Sequence, residues 1–249
     1  MNAALAAVSL VPGFALGSFL NVVAARVPLR RSIAYPRSAC MSCETPLAWY
    51  DNVPLLSFAL LRGRCRHCES AIAWRYPAVE AATAALIGGC VLKFGLTWDC
   101  AVAVFFCAAL VAVSATDLER RIIPNRIVVP AAVAVLVANT ALHPSVEWIA
   151  AGLGASVFLL LAALAYPAGM GMGDVKLALL LGVALGRTVP VAMLTGMLAA
   201  LVPSAMLFIR HGSAARKMGI PFGPFLALGG IVALFAGTPI LHVYLGLSR

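Results

Sequence analysis

Asp117 and Asp174 are the residues most suggestive of chemistry. Asp117 stands seven residues before Pro124, and Asp174 closes the run Gly171-Met172-Gly173-Asp174. Both border apolar segments in a chain that is only 11% charged. An ionisable group at a membrane segment is a functional hypothesis by default. Two carboxylates in contact cannot both ionise easily, so such a pair holds one proton between them. One member can take a proton from a water that attacks a scissile carbonyl. The protonated partner polarises that carbonyl and later helps protonate the leaving amine. This chemistry needs no metal, and the two roles can exchange, so they belong to the pair. The same residues also admit a second reading, a polar pair that ties helices together or lines the path of a proton-coupled transporter. Against it stand Gly171 and Gly173, which clear side chains from a close approach, and Pro124, which fixes a helix start.

A second cluster is Cys40-Met41-Ser42-Cys43 and Cys65-Arg66-His67-Cys68, two Cys-x-x-Cys pairs separated by 21 residues. Zinc holds four thiolates tetrahedrally, and each two-residue gap lets one turn supply two ligands. The separation is just beyond the usual ~15–20 residues of this pattern. Cys40, Cys43, Cys65 and Cys68 are therefore the expected ligands of a structural zinc, closed to catalysis. Redox-active or disulfide-bonded thiols, and unliganded cysteines, are the competing readings. Cys90, Cys100 and Cys107 lie in apolar segments and read as packing.

The elements that must position these groups are membrane helices. The chain is 63% hydrophobic, with a mean hydropathy of +1.00, well above the ~45–50% apolar content of soluble domains. Segments of ~20 apolar residues occur at about 3–25, 77–96, 99–116, 124–142, 147–166, 174–187, 189–209 and 222–245. The expected fold is an all-α polytopic membrane protein of about eight transmembrane helices. The sixth segment is short, and only Gly186, Arg187 and Pro190 mark its end. Residues 1–25 lack a basic start and read as a retained first helix. Residues 26–76 read as a small four-cysteine cytoplasmic domain, and residues 77–249 as a transmembrane domain carrying both aspartates.

Basic residues collect on the cytoplasmic side of a membrane. Arg26, Arg30, Arg31, Arg37, Arg62, Arg64, Arg66 and Arg75 lie in the long polar interval. Arg120, Arg121, Arg126 and Lys176 flank the aspartates, and Arg210, Arg216 and Lys217 fill the last loop on that side. Only Lys93, Arg187 and Arg249 fall opposite. Both aspartates then face the cytoplasm and both termini lie outside it. The net charge of +9 follows from this topology, brings a weak pull on anionic lipid headgroups with it, and calls for no nucleic-acid partner. The basic segment from His211 to Gly219 reads as a solvated connector.

These residues resemble the type IV prepilin peptidases, the bifunctional leader peptidase and N-methyltransferase family of Gly-x-Gly-Asp intramembrane aspartic peptidases. The resemblance spans nearly the whole chain. It begins with Gly17-Ser18-Phe19-Leu20-Asn21-Val22 running to Arg26 and Pro28. It continues through both cysteine pairs with Asn52-Val53-Pro54-Leu55-Leu56-Ser57 between them, then Arg75-Tyr76-Pro77 with Glu80. Asp117 with Ile123-Pro124, Gly171 to Lys176, and Pro221-Phe222-Gly223-Pro224-Phe225 complete it.

The resemblance implies cleavage of the basic leader of prepilins and pseudopilins at the cytoplasmic face of the bacterial inner membrane. Asp117 and Asp174 fall on the family's catalytic pair. It further implies methylation of the new N-terminal residue with S-adenosylmethionine, an activity associated with the four-cysteine loop. No glycine-rich nucleotide loop in a strand-to-helix context marks a methyl-donor pocket. Asn21, Glu44, Asp51 and Asn52 are polar candidates. Their simpler readings are a helix partner for Asn21 and solvated turns for Glu44 and Asp51. Glu80 suits the start of a helix opened by Pro77, and the family pattern alone suggests more. Pro221 and Gly223, with the Gly-rich loop, read either as a gate for water or as a plain helix start.

Overall fold

The computed structural model describes residues 2–166, 170–212 and 219–246. Arg216, Lys217 and Arg249, and most of the connector expected between His211 and Gly219, lie outside them. Among the described residues the chain is helical: α1 (Asn2–Arg26), α2 (Leu56–Leu60), α3 (Arg75–Phe94), α4 (Trp98–Arg120), α5 (Asn125–Leu142), α6 (Glu147–Ala165), α7 (Met172–Leu185), α8 (Val189–His211) and α9 (Gly223–Tyr244). Short 3-10 turns occupy Trp49–Asn52 and Gly186–Thr188. Among the described residues, seven stretches are long and apolar enough to cross a membrane, and one of them, Met172–His211, contains both α7 and α8. The protein is a multi-pass membrane protein.

Two compact units divide the chain, Met1–Ala115 and Thr116–Arg249. In the first, α1 runs antiparallel to α3. Gly13 and Gly17 share one face of α1, and a Cβ on them would lie 2.7 Å from Ala84 Cα and 2.6 Å from Glu80 Cα. Helices in lipid associate through such small residues because close backbone packing replaces the hydrophobic drive available in water. Between these helices the chain leaves the apolar regime and forms two similar knuckles. Cys40 N bonds Thr45 O while Glu44 N bonds Cys40 O. Likewise Cys65 N bonds Ser70 O while Glu69 N bonds Cys65 O. Glu44 and Glu69 both turn the chain at φ +56°. Cys-x-x-Cys-Glu followed by Thr or Ser is thus an internal repeat, visible once its geometry is seen twice.

The second unit places both aspartates at one end of its helices. Gly182 packs against the backbone of Ala151 and Gly152, and Ser156 Oγ donates to Val175 O at 3.2 Å, so α6 and α7 are antiparallel. Gly196 lies against Phe225 and Gly237 against Thr188, which makes α8 and α9 antiparallel too. Asn125 beside Lys176 and Asn139 beside Val183 set α5 parallel to α7. Helices α5, α7 and α9 therefore start at the same end, and α8 returns to it. The division of 174–187 from 189–209 expected from sequence is borne out. Gly186 takes φ +54° and ends α7. At 14 residues, α7 is about 21 Å long, less than the ~30 Å of a hydrocarbon core. The far end is tied by Glu147, which accepts from Arg187 N at 2.7 Å and pairs with its guanidinium at 3.0 Å.

Candidate active site

Asp117 sits in the last turn of α4 and Asp174 in the first turn of α7; they are 5% and 8% exposed. The two carboxylates lie within electrostatic reach of one another. Each is oriented by one glycine amide. Asp174 is the third residue of α7, so its side chain folds back to accept Gly171 N at 3.2 Å, while Asp174 N donates to Gly171 O at 3.1 Å. This is one half of a capping box, since glycine has no side chain to return the bond. Asp117 has a longer-range donor, Gly223 N at 2.9 Å, the first residue of α9 and 106 positions along the chain.

Ile123 joins the two loops. A Cβ on Gly173 would stand 2.8 Å from Ile123 Cβ, and one on Gly223 would meet Ile123 Cδ1 at 3.2 Å and Asp117 Oδ2 at 2.8 Å. Both glycines thus clear space around one isoleucine and one carboxylate. Arg121, in a left-handed conformation at φ +53°, donates its amide to Asp117 O and sets a guanidinium within reach of the Asp117 carboxylate. Lys176 Nζ reaches Asn125 Oδ1 at 2.9 Å and ties α7 to the start of α5. The arrangement presents two buried, oriented carboxylates within electrostatic reach of one another, groups of the kind that can activate water. The region of Pro221 and Gly223, read from sequence as a gate or helix start, thus supplies a hydrogen-bond donor to the site through Gly223 N. No local signal distinguishes that amide from any other at a helix start.

The four cysteines of the knuckles converge. Their sulfurs all lie within 4.8 Å of one another, with Cys40 Sγ–Cys68 Sγ at 3.7 Å and Cys43 Sγ–Cys65 Sγ at 4.0 Å. Tetrahedral zinc with Zn–S of ~2.3 Å requires S···S separations of ~3.8 Å, so the donor set fits that metal. The amides of Cys43 and Ser42, joined by the Ser70 hydroxyl, lower the Cys40 thiol to about 5. At Cys68 the Ser70 hydroxyl and amide act the same way. At Cys65 the amides of Cys68 and His67 pull downward, but burial and the neighbouring sulfurs prevail and the thiol is raised. Sequence reading missed Ser70 and also Thr45, whose hydroxyl lies 3.3 Å from Cys43 Sγ.

Asp51 is not the solvated turn residue expected. Its side chain is 6% exposed and bidentate to Arg66 at 2.6–3.1 Å, which ties the 3-10 turn to the second knuckle. Asn21 donates to Tyr76 O at 3.1 Å, the helix-partner role expected of it. Glu44 is exposed at its knuckle turn. Glu80 is more than a helix-start acid: it is 8% exposed, accepts Leu55 N at 2.9 Å, and latches the loop between the knuckles onto α3. With Asn21, Asp51 and Glu80 engaged to protein groups, no methyl-donor pocket is assigned. Cys90, Cys100 and Cys107 are buried as expected of packing residues, with Cys90 and Cys107 sulfurs 4.0 Å apart.

Two family models match the chain. The Bacterial Peptidase A24 N-terminal domain matches residues 11–94, and the Type IV leader peptidase family matches residues 104–209. The chain is 33% identical to the prepilin leader peptidase/N-methyltransferase of Bacillus subtilis, over 95% of this chain and 96% of the relative. It is 35% identical to that of Burkholderia pseudomallei strain 1026b, over 94% and 86%, and 33% identical to that of Pseudomonas aeruginosa, over 94% and 91%. No solved structure matches the chain significantly. Matched by both family models, and at this identity over nearly its whole length, the chain belongs to the prepilin leader peptidase/N-methyltransferase family.

Proposed function

We propose that this protein hydrolyses the peptide bond joining the basic leader of a type IV prepilin or pseudopilin to its apolar helix, with Asp117 and Asp174 as the catalytic pair. The observation that carries the assignment is that two buried carboxylates, each fixed by a glycine amide, stand at one end of the helices of the second unit within electrostatic reach of one another. A substrate helix lying in the bilayer leaves its charged leader at the membrane surface, and its scissile bond falls at the depth of these residues. Positive-inside topology makes that surface the cytoplasmic face of the inner membrane. One carboxylate accepts a proton from water as its oxygen adds to the scissile carbonyl carbon. The protonated partner donates a hydrogen bond to the carbonyl oxygen. Collapse of the tetrahedral species expels the amine, which takes up the proton.

The second activity is methylation of the new N-terminal amine, for which S-adenosylmethionine is the donor. We assign the four-cysteine module within residues 26–76 a structural zinc held by Cys40, Cys43, Cys65 and Cys68. A closed tetrahedral site of this kind contributes folding energy to a segment too small to bury much core. The test is incubation of the purified protein in lipid nanodiscs with a model prepilin, with and without S-adenosylmethionine, reading product masses. A product shortened by the leader, and heavier by one methyl group only when the donor is present, is expected. An uncleaved prepilin would overturn the peptidase assignment, and a shortened but unmethylated one would overturn the second activity.

A further inference from the structure

The loop between the two knuckles meets the membrane at a defined depth. Leu55 N bonds Glu80 Oε2 at 2.9 Å, and Glu80 is five residues into a membrane span that begins at Arg75, about 7.5 Å along its axis. Three residues after Leu55, the Phe58 ring packs edge-on against Trp74 with centroids 4.9 Å apart, at the residue before α3 begins. Helix α2 therefore starts beside Glu80 and reaches the level of Trp74 at Phe58, alongside the entry of α3. At that level Leu56 is 56% exposed, Leu60 73% and Trp74 76%. Directly after α2 come Arg62 and Arg64, both exposed, and Arg75 is exposed at the head of the span. The loop is held at this depth from both sides, because Asp51 binds Arg66 on the second knuckle while Leu55 binds Glu80 on the helix.

We propose that residues 53–61 form an interfacial anchor for the four-cysteine module. In this arrangement Leu56 and Leu60 enter the headgroup–acyl boundary, and Arg62, Arg64 and Arg75 engage anionic lipid phosphates. A bilayer is the occupant these residues fit: the loop runs along the entry of a spanning helix, tryptophan concentrates at that level, and basic residues border the apolar side. Apolar side chains buried a few ångströms into the interface, backed by cations on anionic lipid, are the pattern of a monotopic element. The module then lies against the membrane surface with its loop inserted, instead of standing off on a tether.

The experiment uses the full chain in nanodiscs of phosphatidylglycerol and phosphatidylcholine, with a benzophenone amino acid placed singly at Leu56, Leu60, Glu44 or Leu161. Leu161, 61% exposed within α6, is the lipid-facing reference, and the exposed Glu44 is the aqueous one. Both loop positions are exposed, so the added ring does not enter the core. After irradiation, mass spectrometry of the protein should show lipid adducts at Leu56 and Leu60 comparable to Leu161 and about tenfold above Glu44. Adducts at the Glu44 level would overturn the anchor. So would lipid adducts replaced by prepilin adducts on adding substrate, which would make this face a substrate groove. Exchanging phosphatidylglycerol for phosphatidylcholine, or introducing Arg62→Gln with Arg64→Gln, should lower the yield at Leu60 severalfold. An unchanged yield would overturn the role given to the arginines.

Discussion

Substitution of the two glycines that feed the aspartates separates close packing from the mere presence of an amide. A Cβ at Gly223 would stand 2.8 Å from Asp117 Oδ2 and 3.3 Å from its carboxyl carbon, where ordinary contact begins at 3.4 Å. The carboxylate must move about 0.6 Å, and the 2.9 Å bond from Gly223 N must stretch or turn with it. Asp117 has a short side chain on a helix end, so most of that displacement passes to the reacting oxygen. A misplacement of ~1 Å can cost ~100-fold in rate, and the present one is somewhat smaller. Gly223→Ala is therefore expected to lower kcat about 10- to 50-fold, or ~1.4–2.3 kcal/mol of barrier, with the melting temperature nearly unchanged. Gly171→Ala is the internal control. Its Cβ would meet Asp174 Oδ2 at 3.6 Å, an ordinary contact, and its backbone at φ −89° suits alanine. That variant should stay within about threefold of wild type. Single-turnover cleavage of a model prepilin in nanodiscs reads both. Equal activity of Gly223→Ala and wild type, or equal loss in the two variants, would refute the reasoning.

Gly173→Ala places a Cβ 2.8 Å from Ile123 Cβ, a stiff β-branched atom. It should destabilise the fold by ~1–3 kcal/mol, seen as a lower melting temperature that Ile123→Ala partly restores. Cys40→Ser and Cys65→Ser should each lose the bound zinc, measured by elemental analysis, while cleavage by the aspartates continues; full zinc content in both would reject the ligand set. A chelator strong enough to strip wild-type zinc should loosen the same knuckles, measured as faster proteolysis between Cys40 and Cys68. Glu80→Ala removes the partner of the part-buried Leu55 N, at ~1 kcal/mol for a lost hydrogen bond. Faster amide exchange across residues 53–61, with α1 and α3 unchanged, is the expected result.

The apolar helices were legible because lipid imposes long apolar runs and leaves charge only where loops or chemistry need it. Even the weak sixth pass kept its signature, Gly186 at the point where the chain turns. Asp117 and Asp174 stood out for the same reason, and the four cysteines because their paired two-residue spacing is the one that lets four thiolates converge. The partners of those residues were not legible. The Gly223 amide reaches Asp117 across 106 positions, and Leu55 reaches Glu80 across 25, contacts that tertiary packing sets and no local pattern announces. Asp51 was misread because a carboxylate in a polar loop ordinarily faces water, and its partner Arg66 is 15 residues away. The repeat of the two knuckles escaped notice because only Cys, Cys, Glu and a following hydroxyl residue are shared.

Catalysis by the two aspartates is tested by cleavage of a model prepilin by wild type beside Asp117→Asn and Asp174→Asn, all in nanodiscs and with product masses read. Asparagine keeps the shape and still accepts from Gly223 N or Gly171 N, but it cannot exchange a proton with water. Shortened product from wild type alone, with both variants retaining the wild-type melting temperature, is the predicted result. Wild-type rates of cleavage by either folded variant would contradict the assignment of the pair.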